Sequence, residues 1–130
     1  MVCTHDNKIL VFKGVDPYSG KTYWFLPGGS IEPNEKPYQC AERETLEETG
    51  YKVKALPETE IVKHYDFTWD NIQYDCTTYF YKGILETPFA KPAAVQDADY
   101  NKGAQWLPLE NLEKDFGYTE EILAAIKKLI

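Results

Sequence analysis

The chain has 130 residues, the length of one domain and enough to bury a core. Its net charge of −7 and its lack of a basic run argue against nucleic-acid polymers and anionic membranes as partners, because their phosphates are met by Lys and Arg. Three cysteines, Cys3, Cys40 and Cys76, form an odd set without a C-x-x-C pair, which argues against a disulfide framework or a zinc site.

The N-terminus turns polar within a few residues and no apolar run approaches ~18 residues, so neither a signal peptide nor a membrane span is expected. Reduced thiols and a cytoplasmic location follow as expectations. Aromatic residues make up 15% of the chain, ten of them tyrosine, and side chains of that kind suit a sheet.

Val2-Cys3-Thr4 and Ile9 to Phe12 read as strands, joined through His5-Asp6-Asn7-Lys8, where Asp and Asn tolerate hairpin dihedrals. Asp16 to Gly20 is a loop, and Thr22 to Leu26 a strand stopped by Pro27-Gly28-Gly29. A further loop runs through Pro33-Asn34. Pro37 suits a first helical turn, Tyr38 to Thr49 reads as helix, and Gly50 is its natural stop. Tyr38, Ala41 and Thr45, with Cys40 alongside, form the face expected to meet the sheet. Strand-like segments follow at Tyr51–Ala55, Glu60–Phe67 and, as one long strand, Tyr74–Leu85. Thr87 to Gly103 reads as a long loop, and loops of that length are often functional. Ala104 to Leu107 is a short strand, and Leu109 to Lys114 a helical turn. A last helix runs from about Glu120 to Ile130, with Thr119 as its N-cap and Ile122, Ile126 and Leu129 inward. Residues 1–130 thus read as one mixed-sheet domain with helices packed on it.

The chemistry concentrates in the first helix. Glu44, Glu47 and Glu48 stand at i, i+3 and i+4, where like charges repel by roughly 0.2–0.5 kcal/mol per pair. Clustered carboxylates suit Mg²⁺, a hard cation that completes its shell with water and substrate phosphates. A solvated acidic face, with Arg43 paired to Glu47, is the plain alternative. Gly28-Gly29 sharpens the functional reading, since glycines let a backbone approach a ligand and leave carbonyls and amides free to serve it.

From Gly29 to Tyr51 the sequence G-S-I-E-P-N-E-K-P-Y-Q-C-A-E-R-E-T-L-E-E-T-G-Y resembles the Nudix box, G-x5-E-x7-R-E-U-x-E-E-x-G-U, with U a bulky aliphatic. All seven fixed positions match: Gly29, Glu35, Arg43, Glu44, Glu47, Glu48 and Gly50. Chance agreement at one start point is on the order of 10⁻⁸. The two U positions depart from the pattern, holding Thr45 and Tyr51. Weaker likeness extends to Trp24-x-Leu26-Pro27-Gly28-Gly29 and to Trp106-Leu107-Pro108-Leu109-x-x-Leu112. The Trp-x-x-Pro-Gln-Gly-Gly lead-in of RNA pyrophosphohydrolase-like enzymes is absent, because Gly28 directly follows Pro27.

The resemblance to this MutT-like family implies an α/β/α sandwich around a central mixed sheet. It also implies Mg²⁺-dependent hydrolysis, with Mn²⁺ an alternative cofactor. The bond cleaved would be a phosphoanhydride in a nucleoside diphosphate linked to another moiety, such as a nucleoside triphosphate, a nucleotide sugar or ADP-ribose. Glu44, Glu47 and Glu48 would be catalytic and would hold the metal with the Gly28 carbonyl. Glu44 and Glu48 are the candidates for general base, with Glu47 the weaker one. Gly29, Glu35, Arg43 and Gly50 would support the site, Arg43 by an ion pair with Glu35 or Glu47 rather than by touching substrate. Many relatives add an acid from a late loop, where Asp97 and Asp99 are available; Asp99, nearer the following strand, is favoured as a metal ligand.

Tyr23, Tyr65, Tyr79 and Phe80 are available for stacking on a base, without assignment, and His64 reads as a polar strand residue. The expected partner is a small nucleotide, and the expected state a monomer or homodimer. A non-catalytic nucleotide-binding module that kept the fold is the competing reading, disfavoured by the retention of all four box glutamates.

Overall fold

The computed structural model describes residues 1–86 and 95–130. Of the expected loop from Thr87 to Gly103, residues 87–94 lie outside this set. The remainder splits: 95–100 is loop, while strand pairing begins at Asn101 rather than Ala104.

The elements are β1 (Val2–His5), β2 (Lys8–Val15), β3 (Thr22–Phe25), α1 (Pro37–Thr49), β4 (Val53–Ala55) and β5 (Ile61–Trp69). They continue with β6 (Ile72–Phe80), β7 (Lys82–Leu85), β8 (Asn101–Pro108), α2 (Leu112–Phe116) and α3 (Glu120–Leu129). β2 is the central strand. One of its edges pairs along its length with β8; the other is shared by β1 near its start and β3 near its end. β1 then pairs in parallel with β7, and β7 antiparallel with β4, so the sheet is mixed.

The sequence of β2 explains its place. Ile9, Leu10, Val11 and Phe12 are all buried, so both faces of the strand are covered. Ile9 and Val11 pack in one cluster with Leu112, Phe116, Ile122, Ala125, Ile126 and Leu129 of α2 and α3. Leu10 packs in the other with Ala41 of α1, Val53, Ala55 and Leu85. The result is the expected α/β/α sandwich around a mixed sheet. Among the described residues no helix is long and apolar enough to cross a membrane.

Two expectations are corrected. The apolar run from Tyr74 to Leu85 is not one strand. Up to Phe80 it pairs with β5 as a separate hairpin, and from Lys82 it joins the central sheet. Tyr81 is the pivot: its side chain is buried, its hydroxyl donates to Glu60 Oε1, and its carbonyl accepts from Val2 N–H at 2.8 Å. The hairpin closes on Asp70-Asn71, both at positive φ (51° and 60°), the same dipeptide and conformation as Asp6-Asn7 between β1 and β2. The strand expected from Tyr51 starts only at Val53; Tyr51 instead packs edge-on against Trp106 with ring centroids 5.4 Å apart.

Candidate functional site

Helix α1 carries the acids, and its ends are fixed locally. Pro37 occupies the first turn, and the Lys36 N–H donates to Gln39 Oε1 at 2.9 Å, half of a capping box. Gly50 closes the helix at φ 76°, a left-handed conformation suited to glycine, with its N–H on Leu46 O at 2.9 Å. Cys40, Ala41, Thr45, Glu48 and Thr49 form the buried face. Thr45 and Thr49 are tolerated there because each hydroxyl donates one turn back, to Ala41 O and Thr45 O at 2.6 Å.

That face carries Glu48 into the protein. Its residue is 3% exposed, and Oε1 accepts the Gly28 N–H at 2.7 Å, so the helix is tied to the bend that ends β3. Burial pushes the carboxyl up to about 8; the Gly28 N–H opposes this, and the charges of Glu44 and Asp97 add to it. Glu44 stands beside it against Gly29, where a Cβ would lie 2.5–2.8 Å from the carboxylate atoms. Only glycine leaves that carboxylate its place. Desolvation also raises Glu44, against Arg43, with Glu47 and Asp97 adding.

Arg43 knits the loop to the helix. Its Nε and Nη2 grip Glu35 at 2.7 and 3.1 Å, a two-pronged charge-assisted pair, and Nη2 also donates to Ser30 O at 3.2 Å. Nη1 donates to Glu44 at 2.8 Å and to Glu47 at 3.1 Å. Arg43 holds the Glu35 carboxyl down at about 2, helped by the Glu32 N–H, and these contacts raise the guanidinium in turn. With Glu32 at 3.8 Å from Nη1, the side chain thus serves as counter-charge to four carboxylates.

Of the two late-loop acids, Asp97 is the one whose charge acts on Glu44 and Glu48. It is placed by Asn101, whose Nδ2 donates both to Asp97 Oδ2 (2.9 Å) and to the Glu48 carbonyl (3.0 Å). Sequence reading did not single out Asn101. It lies in the stretch read as loop, 53 residues from its helical partner, and no local pattern signals that contact. Asp99 is exposed.

The donor set suits a hard divalent cation. Glu44 and Glu48 offer carboxylate oxygens at the Gly28 bend, and their mutual repulsion under burial is relieved by positive charge. Among the described residues, no three acidic, Cys or His side chains are already gathered as a closed cage. Glu47 is turned to Arg43, with its side chain 52% exposed.

Glu48, Gly28 and Gly29 line a cleft of about 700 Å³, together with Phe25, Trp69 and Tyr100. Tyr65, Tyr79 and Phe80 also border it, whereas Tyr23 belongs to the ring cluster with Phe25, Phe67 and Tyr118. His64 is an exposed strand residue paired with Thr77 Oγ1 at 2.9 Å.

A mixed sheet between helices, with the buried Glu48 and half-buried Glu44 of one helix facing a glycine bend, defines an α/β protein with an acidic candidate site. The NUDIX domain model matches residues 1–126, and the chain belongs to the Nudix family. An RNA pyrophosphohydrolase of Bartonella henselae is 35% identical over 68 residues, which make up 52% of this chain and 34% of that protein. The matched segment thus spans about a third of that relative. Among solved structures, a Nudix hydrolase from Nitrosomonas europaea superposes with a TM-score of 0.69 at 22% identity, covering 98% of this chain and 82% of that one. An Ap4A hydrolase of C. elegans gives 0.66 at 20% identity, over 93% and 82% of the two chains. At such identities these likenesses establish the fold.

Proposed function

We propose that the chain is a Mg²⁺-dependent hydrolase that opens the phosphoanhydride bond of a nucleoside diphosphate linked to a second group. The observation that carries this reading is the Glu48 carboxylate, which lines a cleft of nucleotide size and is buried against the Gly28 N–H, with the Glu44 carboxylate against the neighbouring Gly29. A protein holds such a carboxylate at a cost in stability, and a cation-dependent site is the return on that cost. Family membership and the names of the relatives support it.

Glu44, Glu48 and the Gly28 carbonyl would hold the cation, with Glu47 joining once released from Arg43, and Mn²⁺ would serve in place of Mg²⁺. When bound, the metal supplies neutralisation of charge on the phosphate oxygens and acidification of water. The chain's own residues do the rest. Arg43 and Glu35 fix the loop against α1. Glu44 or Glu48, whichever is less engaged as a ligand, accepts a proton from the attacking water, and a carboxyl raised toward neutral pH is suited to that task. The oxygen of water ends on one phosphorus, the bond from that phosphorus to the bridging oxygen breaks, and the bridging oxygen leaves on the phosphate of the second product. Of the late-loop acids, Asp97, which shares Asn101 with the Glu48 carbonyl, is the candidate to assist, with Asp99 the alternative.

A panel of nucleoside triphosphates, nucleotide sugars, ADP-ribose, a dinucleoside polyphosphate and 5′-triphosphorylated RNA, assayed with Mg²⁺ or EDTA and scored by chromatography, tests this. Metal-dependent release of a mononucleotide or pyrophosphate is expected, and it should disappear in Glu48→Gln. Calorimetric nucleotide binding without turnover of any substrate would favour the non-catalytic module instead.

A further inference from the structure

We propose that Asp16 is a positioning residue: its buried carboxylate latches the tip of the β5–β6 hairpin to the β2–β3 loop, and so holds the hairpin in place as one wall of the cleft. This rests on the hydrolase reading above and goes beyond it, by assigning a residue outside the acid cluster that sets how readily the cleft takes substrate.

Among the described residues, Asp16 and Glu48 are the buried carboxylates, and Asp16 has no part in the acid site. A charge taken out of water is costly unless hydrogen bonds replace the water. Asp16 stands where β2 ends. Its N–H donates to Lys21 O at 2.8 Å and its carbonyl accepts the Gly20 N–H at 2.9 Å, which closes the loop into β3. Oδ1 accepts the Tyr18 N–H at 2.9 Å and, more loosely, the Ser19 N–H at 3.5 Å. Those two donors belong to a local turn, which Asn or Ser also supports. The third donor is not local: the Asp70 N–H, 54 residues on, reaches the same oxygen at 3.1 Å. Burial works against the charge, and the Tyr18 N–H, the Ser19 side chain and the Asp70 and Ser19 N–H groups outweigh it, holding the carboxyl below the usual range. The acceptor is thus ionised at neutral pH, where hydrogen bonds to it are strong.

The hairpin needs such a tie. Among the described residues β5 and β6 pair only with each other, and a two-stranded hairpin alone is marginal in water. Its base is held at Tyr81 by Glu60 and Val2. At the other end the ladder stops at Trp69 opposite Ile72, so the Asp70 N–H lies outside it and takes its acceptor from Asp16.

That node adjoins the cleft. Trp69, next to Asp70, meets Phe25 at 5.3 Å and Tyr100 at 5.5 Å, both edge-on. Val15, next to Asp16, donates its N–H to Tyr100 O at 3.1 Å. Tyr100 in turn precedes Asn101, which ties Asp97 to the Glu48 carbonyl. Trp69, Tyr74 and Tyr100 line the cleft together with Gly28 and Glu48. With the tip released, the hairpin is free to leave its place, and the share of molecules with a formed cleft falls. Apparent affinity falls in proportion to that share, while the acids that carry the chemistry stay where they are.

The test compares wild type with Asp16→Ser, Asp16→Asn and Asp70→Gly in the full chain, by amide hydrogen exchange and by kinetics with MgCl₂ on the best substrate of the panel. Ser keeps the local turn and is too short to hold the Asp70 N–H. In that variant the ladder amides from Phe67 to Tyr74 should exchange about tenfold or more faster, with β2 and β8 protected as in wild type. KM should rise by about 5- to 20-fold with kcat within about twofold. Asn keeps an acceptor without the charge, so its exchange should change less and its KM rise by about 2- to 4-fold. Asp70→Gly keeps the N–H and suits the positive φ, and should stay within about twofold of wild type in both readouts. Wild-type exchange at the tip in Asp16→Ser and Asp16→Asn, exchange raised equally throughout the chain, or a lowered kcat at unchanged KM would each overturn the latch. Absence of turnover by the wild type on every substrate overturns the hydrolase instead, and the latch then stands or falls on the exchange pattern.

Discussion

Replacing Glu48 by Gln should make the metal-free protein more stable while destroying its activity. Burial displaces the folded-state carboxyl from 4.5 to about 8. A carboxyl raised in this way stabilises the fold fully only below pH 4.5, where it is protonated in both states, and that contribution is lost as pH rises through the folded value. At ~1.4 kcal/mol per pH unit the loss reaches about 3 kcal/mol by pH 7 and about 5 kcal/mol above pH 8. Gln keeps an oxygen for the Gly28 N–H and carries no charge, although its amide hydrogens need acceptors, which reduces the expected gain at pH 7 to about 2 kcal/mol. Urea denaturation in EDTA at pH 5, 7 and 8.5 reads this directly as a shift in midpoint at constant slope. The wild type should lose stability relative to the variant across the series, the two curves meeting near pH 5 and separating above it, while the buried Met1 amine, lowered to about 6, adds stability to both as pH rises. Adding MgCl₂ should stabilise the wild type and leave the variant unmoved. A variant less stable than wild type at pH 7 in EDTA, or two curves that run parallel with pH, would refute the electrostatic account of the site.

Other outcomes follow from the same geometry. Gly29→Ala places a methyl group within 2.5–2.8 Å of the Glu44 carboxylate, so kcat should drop by about 10- to 100-fold, with a melting temperature within a few degrees of wild type. Asp97→Asn should raise the Mg²⁺ concentration for half-maximal turnover by about tenfold or more, and Asp99→Asn by less than about twofold; a metal titration of activity ranks the two acids. The Arg43 guanidinium holds Glu35 at about 2, below its ordinary 4.5, so this pair stabilises the fold above pH 4.5 and loses that effect as pH falls toward 2. Glu35→Gln should therefore melt a few degrees below wild type at pH 7, with the gap closing toward pH 2.5 in a calorimetric series.

The local parts of this protein were legible because their causes are local. Pro37 and Gly50 bound α1 through their own backbone preferences, and the spacing of Glu44, Glu47 and Glu48 follows from 3.6 residues per turn. Thr119 was readable as the N-cap of α3, and its hydroxyl accepts from Ile122 N–H at 3.2 Å. The Asp70-Asn71 turn was equally legible and was missed; the same dipeptide at Asp6-Asn7 was read as a hairpin. The run from Tyr74 to Leu85 misled for a different reason. Strand periodicity tells that a segment is extended, and it does not tell which edge the segment pairs with, so one apolar run could serve two sheets.

The sequence by itself determined the catalogue of the site: the acids, the glycine bend, the arginine and the helix that presents them, since each depends on neighbours within one or two turns. The tertiary structure alone decided how those groups differ from one another. Burial against the Gly28 bend separates Glu48 from the exposed Glu47, and Asn101, 53 residues away, ties Asp97 to the helix end. It also brought Trp69 of β5 and Tyr100, from the loop before β8, together over the same cleft. Desolvation and long-range contact are properties of the packed chain, and no local window of residues encodes them.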